Sequence, residues 1–392
     1  MQSGKFNVLL DGFWGSSGKG KVSTYLADAF AITRVSSSNY PNAGHSAVFS
    51  DGTKFVAKAI PTAAILKKTH KMAMDCFISP GSGFSWAQLA KEWNEAGNPN
   101  IQIHERASIV TEDHARRECE GADSTIHIAS TMQGTAAAIV DKVLRRKDVK
   151  LAWNTNEDMM KAFEPFMDSS LASSVSVVKS EQFRSYVQSM VLDQHHTWLH
   201  EGSQGYALSI DHGSEYPACT SRNCTVQQAL DHMGMPPQSL GDVYLNLRTF
   251  PIRVGNVTSA SGEQQGYSGD FYPDCKELTW EQVAAQSGMP AEEAARLAER
   301  ERTTVTKRIR RVCNFSFIGL KDAVRTNGVT KLSLNFVQYL NWADNGLQGG
   351  KEAFQKLSRE TRKLIDEIER TVNVPVVLVG TGANHDDMIS LL

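Results

Sequence analysis

A glycine-rich stretch near the start of the chain, residues 12–21, restricts the possible folds more than any other feature. It follows an apolar run at residues 7–10 and leads into a segment with helical spacing. Glycines let backbone N–H groups approach phosphate oxygens, and a helix N-terminus favours negative charge. A plain turn needs one glycine, whereas this stretch has four, with Lys19 and Lys21. Because Gly20 follows Lys19 where a standard P-loop has Ser or Thr, the stretch predicts a phosphate site of unusual spacing.

Composition excludes several classes of protein. The 392 residues are 41% hydrophobic and carry a net charge of −2, so no bulk charge attracts nucleic acid or an anionic membrane. Apolar runs fall short of the roughly 20 residues that span a bilayer, and the N-terminus lacks a signal-peptide pattern. Six scattered cysteines predict a reduced, cytoplasmic protein. Cys219 and Cys224 have no second pair at metal spacing, so we expect no zinc site there.

The first half alternates short apolar runs with helical patterns, which favours a mostly parallel sheet covered by helices. Without a repeat or a low-complexity linker, we expect an α/β fold in which residues 1–392 form a single large domain with a mostly parallel central sheet and helical insertions. The predicted strands are residues 5–12, 31–38, 53–61, 100–110, 241–256, 329–337 and 374–382. The predicted helices include residues 17–30 and 84–97.

Helical patterns dominate three later segments. Residues 155–195 are mostly helical in pattern, and residues 351–371 predict one amphipathic helix. Residues 277–302 predict two short helices around a Gly-Met-Pro turn. Their spacing also suits a helix-turn-helix DNA-binding regulator, but the net charge and the lack of a basic recognition helix argue against that alternative.

Polar residues cluster in four further stretches. Asn42, Gly44 and His45 follow a predicted strand; the amide suits a base, and the histidine could donate a proton, although a lone histidine is more often structural. Ser130 and Thr131 precede a predicted helix, as in a phosphate-binding turn. Two others are residues 202–205, where Gln204 lies among glycines, and residues 303–311, with three hydroxyls and four cations. The last set predicts an anion receptor.

In this order, the stretches resemble the motifs of adenylosuccinate synthetases. WGSSGKGK resembles the WGDEGKGK loop of that family, and NAGH is identical. IASTMQGTAAAIVDKVLRR resembles its Thr-Thr-Gly-Arg-Gly segment with the following helix, and TTVTKRIRRV resembles its aspartate loop. The resemblance covers nearly the whole chain. It implies an enzyme that phosphorylates O6 of a 6-oxopurine nucleotide and then replaces that phosphate with the amine of aspartate, using Mg²⁺.

The resemblance implies a role for each matching residue. Catalytic residues would be Ser16, His45, Gln204 and Lys19. The triphosphate would bind Ser17, Gly18, Lys19, Gly20, Lys21, Gln338, Gly380, Thr381 and Gly382. The purine nucleotide would bind Ser16, Asn42, Ala43, Ser130, Thr131, Arg145, Gln204, Thr220, Val254 and Arg308. Aspartate would bind Thr304, Val305, Thr306 and Arg310, and the metal ion would bind Ser16 and Gly44. Arg145 would reach the nucleotide of a neighbouring subunit, which implies a homodimer. The alternative is that Arg145 lies on a solvent-exposed face of its helix.

Ser16 departs from the family pattern. The family has an aspartate there, which takes the N1 proton of inosinate and helps to hold Mg²⁺, and a serine is no comparable base. This change resembles the viral branch that acts on dGMP, and a small neutral serine leaves room for the 2-amino group of guanine. We therefore expect ATP, dGMP and L-aspartate as substrates, without nucleic acid or membrane partners, in the host cytoplasm. The alternative is an ordinary synthetase that acts on IMP.

Gln338 bears on the choice of phosphoryl donor. GTP-using relatives have a Thr-Lys-x-Asp segment, whose aspartate accepts two hydrogen bonds from guanine. Here Asn335, Phe336 and Gln338 stand in place of Thr, Lys and Asp. An amide both donates and accepts, as adenine requires, so the sequence predicts ATP, and also dATP, as donor. The alternative is that Gln338 ends a strand and points to solvent.

Overall fold

The computed structural model describes residues 1–120, 124–166, 174–303 and 306–392. Its strands in the first half of the chain are β1 Phe6–Asp11, β2 Arg34–Ser37, β3 His45–Val48, β4 Lys54–Ala57, β5 Asp75–Ile78, β6 Gly83–Phe84, β7 Asn100–His104, β8 Ser108–Ile109, β9 Val175–Val178 and β10 Trp198–Glu201. The later strands are β11 Leu240–Arg248, β12 Ile252–Arg253, β13 Val257–Thr258, β14 Gln264–Gly266, β15 Glu277–Leu278, β16 Arg311–Cys313, β17 Lys331–Asn335, β18 Val376–Gly380 and β19 Met388–Ser390.

Helices of about one to four turns connect these strands. They are α1 Lys19–Ala29, α2 Leu66–Thr69, α3 Trp86–Glu95, α4 Glu112–Cys119, α5 Thr135–Val143, α6 Asn156–Phe163, α7 Ser180–Val191, α8 Val226–Met233, α9 Trp280–Ser287, α10 Ala291–Arg300, α11 Phe317–Asn327, α12 Lys351–Lys356 and α13 Arg359–Val372. Within the described ranges, no helix combines the length and the apolar character needed to cross a membrane.

A ten-stranded sheet organises the molecule, in the order β19-β18-β17-β11-β1-β10-β2-β5-β7-β9. Its neighbours pair in parallel except β18 and β19, which are antiparallel. The α/β fold class with a mostly parallel central sheet is therefore confirmed. Because the strands run in parallel, their carboxyl ends lie along the same edge, which is where open α/β sheets bind ligands.

Strand β1 shows how the sequence builds the core. All six of its residues are buried, as expected for a strand covered on both faces. Phe6, Val8 and Leu10 pack into one apolar cluster, and Leu9 packs into another together with Val22 and Leu26 of α1. This alternation directs side chains to helical layers on both sides of the sheet and ends the strand at the glycine-rich loop.

Several predicted segments differ from the structure. The predicted strand at 100–110 is two strands, β7 and β8, and the one at 241–256 is likewise two, β11 and β12. Residues 54–57 do form a strand, but β4 pairs with β3 in an antiparallel hairpin outside the central sheet. The segment 155–195 contains β9 besides its helices. The predicted helix at 351–371 is two helices, because Ser358 caps α13 by accepting a hydrogen bond from the Thr361 N–H (3.3 Å) and binds Asp344 (2.7 Å) through its own N–H. The two helices at 277–302 are confirmed as α9 and α10.

Candidate active site

A cavity of about 810 Å³ lies at the carboxyl edge of the sheet. The loops after β1, β2, β10, β11 and β17 meet there, as do segments near Ser130 and Arg310. Residues singled out from the sequence that line it are Ser16, Gly18, Lys19, Gly20, Lys21, Asn42, Ala43, Gly44, His45, Ser130, Thr131, Gln204, Thr220, Val254, Arg310, Gln338 and Gly382. The fold thus brings together motifs from across the whole chain.

The floor of the glycine-rich loop is organised by Asp11, the last residue of β1. Its buried carboxylate accepts hydrogen bonds from the hydroxyl and the N–H of Ser17 and pairs with the ammonium of Lys19 at 3.3 Å. Lys19 also donates to the Gln204 carbonyl at 2.9 Å, and Asn246 donates to the Ser17 hydroxyl at 2.9 Å. Ser17 is therefore buried under the loop, while Lys19 reaches the cavity wall.

Ser16 lies at the exposed tip of this loop. Its φ of 53° is left-handed, a conformation that Asn, Asp and Gly adopt more readily than other residues. The Ser16 carbonyl accepts a hydrogen bond from Arg248 at 3.1 Å. The contact with Arg248 therefore holds Ser16 through its backbone, and the exposed residue lines the cavity.

Lys21 connects α1 to the loop that follows β18. Its ammonium donates to the carbonyls of Gly382 at 2.8 Å and Asp387 at 2.6 Å. Burial lowers the pKa of Lys21 to about 7, against the opposite effect of the Asp387 and Asp386 carboxylates. A bound phosphate group would favour the charged form, so the residue is suited to an anionic ligand.

His45 forms a buried ion pair with Glu201, the last residue of β10. The Nδ1 atom of His45 contacts Oε1 of Glu201, whose carboxylate also accepts hydrogen bonds from the Thr62 N–H (3.0 Å) and hydroxyl (2.8 Å). Burial alone would raise the pKa of Glu201, but His45, Ser23 and Thr62 lower it to about 2. The carboxylate fixes Nδ1 as a donor and leaves Nε2 for another partner.

Four amide side chains in the cavity wall hold buried atoms without partners in the described part of the chain, and two of them come from the motif of His45 and from the segment that Lys19 contacts. The atoms of these two side chains are Nε2 of Gln204 and Oδ1 of Asn42. Gln204 has a left-handed φ of 64° and is held through its carbonyl by Lys19. Because buried polar atoms are nearly always hydrogen-bonded, these two are suited to a polar ligand.

The turn before α5 differs from the expected phosphate-binding turn. The carboxylate of Glu118 accepts from the backbone N–H groups of Gly134 (2.8 Å), Ala136 (2.5 Å) and Ala137 (3.3 Å). The helix N-terminus therefore already has an internal anion. Ser130 and Thr131 line the cavity beside it, so any phosphate there would depend on hydroxyl groups more than on helix amides.

The predicted aspartate loop is only partly described. Thr304 and Val305 lie outside the described residues. Arg310 lines the cavity and pairs with buried Glu301 at 3.2 Å. The Thr306 hydroxyl bonds to Thr303 at 2.6 Å and accepts from Nε of Arg308 at 3.1 Å.

Arg308 binds the segment of Ser130, and its expected approach to a ribose stays a prediction. Its guanidinium donates to the carbonyls of Ala129 at 2.7 Å and Ser130 at 2.9 Å, and the residue is not among those that line the cavity. It therefore braces the Ser130 segment from behind.

The residues after β17 line a further part of the same cavity. Gln338 is buried and lines the cavity, which excludes the alternative that it points to solvent. Its Oε1 and Oδ1 of Asn335 have no partner among the described residues. The Arg248 guanidinium stacks over the Phe336 ring at 4.0 Å and bonds Glu301 at 2.7 Å.

Gly380 and Thr381 are not among the residues that line the cavity, and their contact with the triphosphate stays a prediction. Thr381 is buried, and its hydroxyl donates to the Leu347 carbonyl at 2.6 Å. A Cβ on Gly380 would lie 2.0 Å from Oδ1 of Asn335, so this position has room only for glycine. Gly382 alone of the predicted glycine turn lines the cavity.

Arg145 lies away from the cavity of its own chain. It is exposed after α5, beside Val143 and Leu144, which are 68% and 57% exposed. Apolar side chains at this level of exposure are compatible with either reading of the sequence, a surface face or a contact with a second subunit.

Comparison with known proteins identifies the family. The family model described as adenylosuccinate synthetase matches residues 8–346. The chain belongs to the adenylosuccinate synthetase family. It is 34% identical over 347 residues to an N6-succino-2-amino-2'-deoxyadenylate synthase of Vibrio phage phiVC8, covering 86% of this chain and 88% of the relative. It is 30% identical over 392 residues to an adenylosuccinate synthetase of Thermococcus onnurineus, covering 97% of both chains.

Solved structures agree with this assignment. A succinoaminodeoxyadenylate synthetase of cyanophage S-2L, bound to dGMP and dATP as an energy donor, matches with a TM-score of 0.77 and 28% identity over 100% of this chain and 96% of its own. An adenylosuccinate synthetase of Plasmodium falciparum shares the fold, with a TM-score of 0.68 and 18% identity over 98% of this chain and 99% of its own.

Sequence reasoning missed the charged residues that hold the synthetase site together. They are Asp11, Glu118, Glu201, Arg248 and Glu301. Three of them end central strands, at the edge where sites form. A search for charged residues at the ends of apolar runs would have found Asp11, Glu201 and Arg248. Glu118 and Glu301 carry no such signal, because their partners are distant in sequence.

Proposed function

We propose that this carbon–nitrogen ligase joins L-aspartate to C6 of dGMP at the expense of ATP. The products are 2-amino-2′-deoxy-N6-succinyl-AMP, ADP and phosphate, and the first of these is a precursor of 2-aminoadenine for viral DNA. The observation that carries the proposal is Ser16, a neutral residue at the tip of the phosphate loop in an otherwise complete cavity. The phage relatives, named for the corresponding succino-aminodeoxyadenylate product, support the same substrate.

The reaction needs a group that moves protons at O6 of guanine. The γ-phosphoryl group passes from ATP to O6, and the aspartate amine then attacks C6 and expels phosphate. His45 is suited to donate a proton to O6 from Nε2, since Glu201 holds Nδ1 and balances the charge of the imidazolium. The unpartnered Nε2 of Gln204 is a second donor for this oxygen.

In this proposal the triphosphate and the deoxynucleotide bind different sets of residues in the cavity. Gly18, Lys19, Gly20 and Lys21 offer amides and two cations to the phosphoryl groups that move. Gln338 offers both a donor and an acceptor to adenine. For the 5′-phosphate, the available hydroxyls are those of Ser130, Thr131 and Thr220; Asn42, Ala43 and Val254 border the rest of the nucleotide.

Aspartate would be held by its carboxylates. Arg310 can bind a carboxylate through the fork of its guanidinium, and Thr304, Val305 and Thr306 complete the predicted loop. In the structure Glu301 already binds Arg310 and Arg248. Glu301 thus orients the receptor, while the two arginines retain positive charge for the incoming acid.

Mg²⁺ fits the donors near Ser16. The Ser16 side chain and Gly44 both line the cavity and supply hard oxygen donors, which Mg²⁺ prefers. Neither is a carboxylate, so substrate phosphates would provide most of the negative charge around the ion. When bound, Mg²⁺ neutralises charge on the phosphoryl group that moves.

The active assembly in this proposal is a homodimer. Arg145 would serve the nucleotide site of the second subunit, and the exposed Val143 and Leu144 beside it would be covered by that subunit. Arg145 is not among the residues that line the cavity of its own chain.

The experiment compares dGMP, GMP and IMP under identical conditions with ATP, Mg²⁺ and aspartate. The succinylated product is measured by chromatography. We expect dGMP to be consumed much faster than IMP. Equal or faster turnover of IMP would show an ordinary adenylosuccinate synthetase and contradict the assignment based on Ser16.

A further inference from the structure

Two histidines and an aspartate lie close together near the C-terminal end of α1, whereas the N-terminal end of this helix lines the synthetase cavity. Asp28 lies in the last turn of α1, His70 follows α2, and His385 lies in the loop between β18 and β19. One ligand atom from each residue lies within 4.8 Å of the others. The Nε2 atoms of His70 and His385 are 3.7 Å and 3.6 Å from Oδ2 of Asp28.

These distances suit a small metal ion. Zn²⁺ binds imidazole nitrogen and carboxylate oxygen at about 2.0–2.2 Å, which places tetrahedral ligand atoms roughly 3.3–3.6 Å apart. The two measured distances to Asp28 are therefore within a few tenths of an ångström of the separation that a bound ion imposes. A hydrogen bond, in contrast, would bring these atoms to about 2.7–2.9 Å.

The other nitrogen of one imidazole, that of His70, also has a partner of the expected kind. Histidines that bind metals usually use their second nitrogen on a hydroxyl, carbonyl or carboxylate, which fixes the ring. Nδ1 of His70 is 2.8 Å from the Thr69 hydroxyl. Nδ1 of His385 makes no hydrogen bond within the described residues, and the Asp386 carboxylate lies 3.8 Å from it. The Phe49 ring packs against His385 with centroids 4.4 Å apart and against His70 at 5.8 Å, which orients both imidazoles.

We propose that Asp28, His70 and His385 form a binding site for a divalent transition metal ion of the Zn²⁺ class. Two imidazoles and one carboxylate suit Zn²⁺ and disfavour Mg²⁺, which prefers oxygen ligands. Asp28 and His70 are each 35% exposed, so a metal ion can enter from solvent and keep a water molecule as its fourth ligand.

The site would anchor the loop that holds Lys21. The His385 N–H donates to the Val48 carbonyl at 2.7 Å, and three residues earlier the Gly382 carbonyl accepts from Lys21 at 2.8 Å. A metal ion at His385 would tie this loop to Asp28 at the end of α1, the same helix that carries Lys21 in its first turn. The ion would therefore stabilise the loop that holds Lys21, beside the proposed triphosphate site, without contacting a substrate.

The test is calorimetric titration of the full-length chain with ZnCl₂, after treatment with a chelator and in the presence of excess Mg²⁺. We expect one saturating site per chain and a rise in the thermal unfolding midpoint with Zn²⁺. His70→Ala and Asp28→Asn should each weaken Zn²⁺ binding by at least about 100-fold. A loss of this size exceeds the usual effect of removing a residue that only hydrogen-bonds a metal ligand. His195→Ala, at an exposed histidine elsewhere, should bind Zn²⁺ like the unmodified chain.

His70 is the better position for the test because its side chain is 35% exposed, whereas a change at buried His385 can impair folding. Circular dichroism without metal checks that each variant is folded. Equal Zn²⁺ binding by the unmodified chain and His70→Ala would overturn the proposal. An unmodified chain with no binding at micromolar Zn²⁺ would overturn it as well, and would show that Asp28 only ion-pairs with the two histidines. Substrate choice between dGMP and IMP is independent of either result.

Discussion

Replacing Glu201 by glutamine tests the proposed role of His45 directly. The substitution preserves the size of the side chain and an acceptor for Thr62, which lies 2.8–3.0 Å away. It removes the negative charge beside Nδ1 of His45. If Nε2 donates a proton to O6, His45 acts from its imidazolium form, whose charge lacks compensation in the variant.

The structure gives the size of the expected effect. The pKa of Glu201 is lowered to about 2, although burial acts in the opposite direction. Relative to an ordinary glutamate near 4.3, this corresponds to a net stabilisation of the carboxylate by about 3 kcal/mol, after the opposing effect of burial. If His45 supplies most of it, kcat with dGMP should fall on the order of 100-fold, which lies within the usual range for general acid catalysis.

The assay is steady-state turnover of dGMP as a function of pH, with Thr62→Val as a matched control that leaves the ion pair intact. We expect kcat to fall in Glu201→Gln while the KM for dGMP changes little, and both to change little in Thr62→Val. A Glu201→Gln enzyme with unchanged kcat would refute the role of His45 as an acid supported by Glu201.

The same ion pair predicts a dependence of stability on pH. Because the pKa of Glu201 is lower in the folded state than in the unfolded state, its stabilising contribution is complete above about pH 4.3 and is lost as pH falls toward 2. Urea unfolding between pH 7 and pH 3 should show a steeper loss for the unmodified chain than for Glu201→Gln. Parallel curves would mean that the carboxylate is not stabilised by the fold.

Three further predictions concern the substrates and the assembly. Ser16→Asp should weaken dGMP use through crowding of the 2-amino group, and unchanged dGMP kinetics would remove that steric argument. Gln338→Asp should shift the donor preference from ATP toward GTP by roughly 10- to 150-fold, given about 1.5–3 kcal/mol for each charge-assisted hydrogen bond to guanine; GTP as the better donor of the unmodified enzyme would contradict this reading. Arg145→Leu should raise the KM for dGMP without unfolding the chain, and mixing it with Lys19→Ala should restore activity through hybrid dimers. A fully active monomer in sedimentation would exclude that arrangement.

Sequence patterns predict those parts of the fold that depend on neighbouring residues in the chain. Strand β1, the glycine-rich loop and α1 follow one another in sequence, so an apolar run and a few glycines were sufficient to predict them. The break in the helix at 351–371 was not predictable in this way. It depends on Asp344, which binds both the N–H and the hydroxyl of Ser358 at 2.7 Å from another part of the chain.

The site shows the same division. Asn42, His45 and Gln204 were found because each stands in a short motif, and the fold places them on one cavity wall. The amides of α5 were expected to be available for phosphate, but Glu118 from α4 occupies them. No pattern near α5 carries that information, since the carboxylate arrives through tertiary packing.

The left-handed backbone at Ser16 has a consequence for the evolution of substrate choice. At a φ of 53°, aspartate is accommodated at least as well as serine, because short polar side chains that bond locally tolerate this conformation. Among the described residues, the interior of the loop is held by Asp11 and Ser17. If Ser16 sets the choice of purine as proposed, exchange between serine and aspartate would alter the chemistry while leaving folding nearly neutral. A lineage could then pass between purine substrates by this replacement without an unstable ancestor in between.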